Sequence, residues 1–413
     1  MNIRKILVAL ALCVMVVNAY ADKKSDALIE AVKGNDAKKV QKLIKSGADV
    51  NAKYNGGLTA LVVAAWNNAS DAAKLLIAAG ADVNAKDNDG LTALMHAALK
   101  NAADVAKLLI EAGADVNAKE KDDRTALMFA ATHNAGEVAK LLVDAGANVN
   151  AKGPLGATAL MLAAHENAAD VAKVLIAAGA DVNAKSNAGL AALMFAALKN
   201  AADVAKLLIA AGADVNAKSN DGFAALMFAA EENAADVAKL LIEAGSNMNA
   251  KSNKGMTALM YAAEKNAADV TKLLIEAGAD VNAKNNAGVT ALMFAMLNNP
   301  LDAAKLLIKS GADVNAKDNN NGYTALMLAA EKNDIDATIL LIGAGADVNA
   351  KDNDGQTALM AAAISNSVDV ARMLITSGAD VNTKSNNGQT AFMLATLWGN
   401  LGMAALLRAA GAR

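Results

Sequence analysis

The chain has 413 residues, 55% of them hydrophobic and 3% aromatic, with 2 prolines and a formal net charge of −3. That is enough apolar chain to bury a large core, and few aromatics beside abundant Ala and Leu point to small, uniform, closely packed helices. The mildly acidic balance excludes a nucleic-acid surface, which needs clustered positive charge, and a lone cysteine, Cys13, excludes an intrachain disulfide framework or a cysteine metal site.

Residues 1–21 read MNIRKILVALALCVMVVNAYA. Arg4 and Lys5 form a basic head, Ile6 to Val17 an unbroken apolar run, and Ala19-Tyr20-Ala21 a small-x-small cleavage site. These are the three parts of a secretory signal peptide. The run falls short of the roughly 20 residues a membrane span needs. Cys13 follows Leu12 inside the run, which argues against lipid attachment. The expectation is export by the general route, since no twin-Arg pair is present, and cleavage after Ala21. No later run is long and apolar enough to span a membrane, so a soluble, cysteine-free mature chain is expected, periplasmic or secreted.

From Asp22 onward one string recurs, Gly-Ala-Asp-Val-Asn-Ala-Lys or close variants. Its Asn falls at 51, 84, 117, 150 and onward to 382 with a spacing of 33, broken by one step of 34 between Asn315 and Asn349. The extra residue lies in Asp318-Asn319-Asn320-Asn321-Gly322, a loop tip. Residues 84–117 show the logic of a unit. Asp87-Asn88-Asp89-Gly90 is a turn. Thr92 caps a helix whose apolar face is Leu94, Ala97 and Ala98, and Asn101 is a left-handed stop. Asp104 opens a second helix with a core of Val105, Leu108, Leu109 and Ile110, ended by Gly113, with Lys107 and Glu111 paired outside. Each helix, at about ten residues, is too short to stand alone, so units must bury their faces against one another in a quasi-one-dimensional solenoid.

The 33-residue period and the pattern Gly-x-Thr-Ala-Leu-Met-x-Ala-Ala resemble the ankyrin-repeat family over the whole mature chain, about twelve units. The resemblance implies an all-α repeat solenoid of helix-turn-helix units with projecting β-turn loops, wound into a curved superhelix. The family's Pro is Ala here, as at Ala93, Ala126 and Ala258, and its His is Met, as at Met95, Met128 and Met260. Losing that His should weaken the loop hydrogen bonds and shift weight to apolar packing. A single domain is expected over 22–413, with a Lys-rich N-terminal capping repeat at 22–53, internal repeats at 54–387 and a C-terminal capping repeat at 388–413.

The resemblance also implies that partner proteins bind the concave side, built from turn tips and first helices. Two columns vary there among the copies. After the turn glycine come Arg124, Leu190, Phe223, Met256, Val289 and Tyr323 among others, and the last five are expected to form a continuous exposed apolar stripe. At the end of the first helix come Trp66, His133, His165, Glu231 and Trp398; exposed Trp is a frequent anchor of binding energy, and Glu231, Glu232, Glu264 and Glu331 suit a basic segment. The column Phe129, Phe195, Phe228, Tyr261 and Phe294 reads as core. The column Lys53, Lys86, Lys119 and onward to Lys384 reads as solvated surface, offset by neighbouring Asp.

No enzyme reading gains a foothold. His165-Glu166 begins like a zinc-protease motif, but Ala169 stands where the second His is required. Two His without Cys or a placed carboxylate are a poor zinc site. The expected function is a non-enzymatic protein-binding scaffold, with no cofactor, no metal, no nucleic acid and no membrane span in the mature chain, acting as a monomer. The alternative is an exported effector acting on another cell's proteins.

Overall fold

The computed structural model describes residues 23–298 and 301–413. The expected signal peptide lies outside the described residues. A helix over 23–33 is followed by Ala37–Lys45, and from there the chain repeats turn, first helix, short turn, second helix up to Leu401–Ala409. First helices run seven or eight residues, such as Ala258–Glu264, and second helices nine, such as Ala268–Glu276. Both are shorter than the expected ten, because a left-handed Asn lies just past the end of the first helix, as at Asn101, Asn134 and Asn266, and a left-handed Gly just past the end of the second, as at Gly113, Gly146 and Gly278. The result is an all-α repeat solenoid.

Contacts divide the described chain into two compact units, one containing residues 23–195 and 203–213, the other Ala196–Ala202 with Asp214–Arg413. Each has the same internal construction. A first helix packs on its own second helix and on the first helix of the next repeat, while second helices pack on second helices. The Leu of the Thr-Ala-Leu-Met string fills these contacts: Leu94, Leu127 and Leu160 in the first unit and Leu259, Leu292 and Leu326 in the second are all 1% exposed. Second helices add Val105, Ala106 and Leu109, or Val270, Thr271 and Leu274, all fully buried. Each such Leu contributes about 1.5–3 kcal/mol by leaving water, and the flanking Ala lets neighbouring helices approach closely.

The capping Thr works as its sequence position suggests. Thr92 Oγ1 accepts from Met95 N–H at 3.3 Å and Thr257 Oγ1 from Met260 N–H at 3.4 Å. The Met that stands where the family has His also takes part: the Thr92 N–H points at Met95 Sδ at 3.4 Å, and the Thr257 N–H at Met260 Sδ at 3.5 Å. A weak sulfur acceptor thus completes the capping box from the core side.

Neighbouring loops are joined by side-chain ladders. Asn216 Oδ1 accepts from Asn247 N–H at 2.8 Å and Asn249 Oδ1 from Asp280 N–H at 2.9 Å. The Lys column, read from sequence as solvated surface, forms a second ladder. Lys251 Nζ donates to the Lys284 carbonyl at 2.8 Å and Lys284 Nζ to the Lys317 carbonyl at 2.9 Å; Lys53 and Lys86 do the same in the first unit. The inserted residue between Asn315 and Asn349 is absorbed by Asp318, whose Oδ1 accepts from Asn320, Asn321 and Gly322 N–H, so the helices on either side keep their lengths.

A candidate protein-binding face

The turn tips and first helices carry both variable columns, and the structure treats them differently. Side chains after the turn glycine are half-buried. Their backbones are held by their own turns: Leu190 N–H donates to Ser186 Oγ at 3.1 Å, Phe223 N–H to Ser219 Oγ at 3.1 Å, and Val289 N–H to Asn285 Oδ1 at 2.9 Å. The Phe223 ring turns inward, its centroid 5.1 Å from Phe228 in its own repeat and 5.0 Å from Tyr261 in the next. Met256 departs furthest from the expected open stripe. It is only 5% exposed, because Asn285 of the next turn covers it, with Nδ2 3.4 Å from the Met256 sulfur. Phe223 and Met256 therefore pack between repeats, and within the second unit the apolar stripe is a row of half-turned side chains.

Arg124 is committed to its own loop. Its guanidinium pairs with Glu120 and Asp122, each at 3.2 Å, and lies 5.4 Å from the Phe129 ring centroid. Tyr323 is half-buried, and burial, followed by Glu331, Asp352, Asp318 and Asp354, raises its phenol pKa above the usual value. Tyr261 is raised as well, mainly by burial, with Glu231 and Glu264 adding to it against a lowering hydrogen bond from Ser252.

The first-helix ends are more open. Trp66 is 47% exposed, meets His96 edge-on at 5.7 Å and carries Lys100 Nζ 3.8 Å above its ring. His133 Nδ1 lies 3.1 Å from the Phe129 carbonyl, and His165 Nδ1 lies 2.7 Å from Glu166 Oε1. Each His is thus engaged locally. Among the described residues no three His, Cys, Asp or Glu side chains are grouped to hold a metal. Glu231 is half-buried and pairs with Lys265 of the next repeat at 3.5 Å. Trp398 is 63% exposed, beside the exposed Leu397 and Leu401.

Two features escaped the reading by columns. Phe223, Phe228 and Tyr261 form one cluster, which the presence of aromatics in two columns of adjacent repeats could have signalled. The other is a buried pair, His96 Nε2 and Asp87 Oδ2 at 2.8 Å. His96 occupies the column otherwise held by Phe129, Leu162 or Tyr261, and its coincidence with an Asp nine residues earlier was the available sign.

A family model described as ankyrin repeats in three copies matches the chain over residues 5–87, 28–120, 86–153, 116–186, 151–219, 226–318, 284–352 and 326–413. No curated protein matches the chain significantly. With the period, the capped helix pairs and the loop ladders on the same register, the chain belongs to the ankyrin-repeat family, whose repeats indicate a protein–protein interaction scaffold.

Proposed function

We propose that this chain is an exported, monomeric, non-enzymatic scaffold that captures a partner protein on the face made by its turn tips and first helices. One observation carries the reading. The residue two places after the capping position is Leu in Leu61, Leu94, Leu127, Leu259, Leu292 and Leu326, each 1% exposed. Five places further on, the same helices present Trp66, Leu99, Thr132, Glu264, Leu297 and Glu331, all half or fully exposed. Identity is held where packing demands it and varies where a partner could read it, the pattern of a fixed scaffold with an adaptable surface. The signal-like segment at 1–21 supports export, with cleavage after Ala21, to the periplasm or the extracellular space.

The test uses the mature chain as bait against the extracellular or periplasmic fraction of its own organism. A saturable protein partner is expected. Capture should fall on Trp66→Ala combined with Glu264→Lys and Glu331→Lys, while helical circular dichroism is unchanged. Capture that survives these changes and is lost on Lys239→Glu, on the outer face of a second helix, would move the site off the first helices.

A further inference from the structure

From Ala37–Lys45 to Ala268–Glu276 every second helix begins with Ala, Gly or Ser. The next four, Leu301–Lys309, Ile335–Gly343, Val368–Thr376 and Leu401–Ala409, begin with a large aliphatic residue. All four lie in the second unit and pack in sequence, each on the next. Leu301, Ile335, Val368 and Leu401 hold the same place on them and so form one row along the outer helices. None of the four is buried; Ile335 is 38% and Leu401 79% exposed. One turn on from Ile335, Ile339 is 55% exposed, at the place where the neighbouring helices carry Lys305 and Arg372. Aliphatic side chains held in water over consecutive repeats mark a surface that a partner covers.

The charge beside the row is acidic. Asp302, Asp336 and Asp369 follow the first three of these residues, and all are exposed. Asp302 pairs with Lys305 at 3.8 Å. In the helix Ile335–Gly343 the corresponding lysine is replaced by Ile339, and Asp336 is the only charge that helix carries. Just before the helix, Asp334 adds a second carboxylate against Lys332 on the turn. The exchange of Lys for Ile thus enlarges the apolar surface and leaves within the row a carboxylate with no cation on its own helix.

We propose that this row docks an amphipathic helix of a partner protein, laid across the second helices, with apolar residues seven positions apart and a lysine or arginine facing Asp336. The spacing selects a helix. Packed neighbouring helices stand about 8–10 Å apart, and seven residues of α-helix rise about 10.5 Å and return to nearly the same face. Three residues of extended strand also cover about 10 Å, but they place successive anchors on opposite faces. The charge selects a basic helix: its cation meets Asp336, and the aliphatic stem lies over Ile339. An anionic membrane surface is disfavoured by the same aspartates. The row goes beyond the face proposed above and shares none of its residues. Leu297 of that face borders Ile335 in a cavity of about 460 Å³, and it is left unchanged in the test.

The probe is a fluorescent helical peptide of about 22 residues, long enough for four leucines seven apart, with lysines beside them. The full chain is titrated into it and binding is followed by anisotropy. Saturable binding is expected, about tenfold weaker to the double variant Ile335→Ala with Ile339→Lys. That variant gives the helix the residues that Ala268–Glu276 has at those places, so its circular dichroism should be unchanged. Exchanging the peptide's lysines for glutamates should weaken binding by a similar factor, and Asp336→Asn should narrow the gap between the two peptides. Trp66→Ala with Glu264→Lys, which alters the face proposed above, should leave binding unchanged. Absence of binding, loss of binding in that last variant, or an unchanged gap in Asp336→Asn would overturn the proposal. So would equal binding to the double variant, or equal binding of the glutamate peptide or of an isomer with its leucines scattered. A dimer of the peptide-free chain in sedimentation velocity, lost in the double variant, would assign the row to a second copy and overturn it as well.

Discussion

The side-chain oxygen of Asn282 accepts the backbone N–H of Asp313, 31 residues along the chain, at 2.7 Å. The same side chain donates from Nδ2 to the Gly311 carbonyl at 3.1 Å, so one Asn satisfies both a donor and an acceptor of the next loop. Asn349 repeats the arrangement with Asp380 at 2.8 Å and Gly378 at 3.1 Å. Both bonds are solvent-exposed, so water recovers part of what Asn282→Ala removes. The expected loss is about 1–2 kcal/mol, with faster amide exchange at Asp313. Exchange at the wild-type rate would show that the loop is held by something other than Asn282.

Two glycines with similar backbone angles should respond very differently to alanine. Gly255 has φ of 75°, and a Cβ there would lie 2.6 Å from the Asn286 nitrogen in the next loop; Gly278 has φ of 86° but open space around it. Gly278→Ala carries only the left-handed backbone penalty, about 1–2 kcal/mol. Gly255→Ala adds the clash and should lose roughly 1–2 kcal/mol more, read as the difference in urea midpoints. Equal losses would mean that the loops separate freely enough to admit the methyl group.

The Asp87–His96 pair gives an asymmetric expectation. Both side chains are buried, and His96 Nδ1 has no hydrogen-bond partner. His96→Phe restores the residue type found at Phe129 and frees Asp87 to keep its bonds to the Asp89 and Leu91 amides, at 3.0 and 2.9 Å. That change leaves the buried Asp87 Oδ2 without a donor and should lose about 1–3 kcal/mol. Asp87→Ala leaves both ring nitrogens without partners and strips the turn, with an expected loss of about 2–4 kcal/mol. A double-mutant cycle measures the coupling; additive effects would show that the 2.8 Å contact carries no energy of its own.

Raised phenol pKa values predict a loss of stability in base. Tyr261 and Tyr323 stay neutral in the folded chain at a pH where the unfolded chain, near the ordinary value of 10.0, has begun to ionise. The folded state then binds more protons, so stability is full below pH of about 10 and declines as pH rises through that value toward the folded pKa. Urea midpoints should be flat from about pH 7 to 9 and fall above it, with a shallower fall in Tyr261→Phe. An identical fall in that variant would assign the loss to other groups.

The fold was legible because the sequence states its constraints many times over. The capping Thr92, the left-handed Asn101 and the Gly113 stop each sit where local backbone chemistry requires them, and the structure has all three. The candidate face was legible only in part. Position in a repeat identifies which column leaves the helix toward the partner side, but not whether the next loop then covers it. Asn285 covers Met256 and Tyr261 draws Phe223 inward, and both are contacts between repeats that no pattern within one repeat encodes. The Lys column is exposed, as its sequence suggests, but its ladder was not legible, because the carbonyl that accepts from each lysine lies one repeat away.

The most direct measurement of the central claim is site-specific photocrosslinking in the full chain with its captured partner. A photoreactive phenylalanine analogue is placed in turn at Trp66, Glu264 and Glu331 on first-helix ends, and at Lys107, Lys239 and Lys272 on the exposed side of second helices. The account predicts covalent partner adducts from the first set and none from the second. Adducts confined to the second set would contradict it and place recognition on the outer helices.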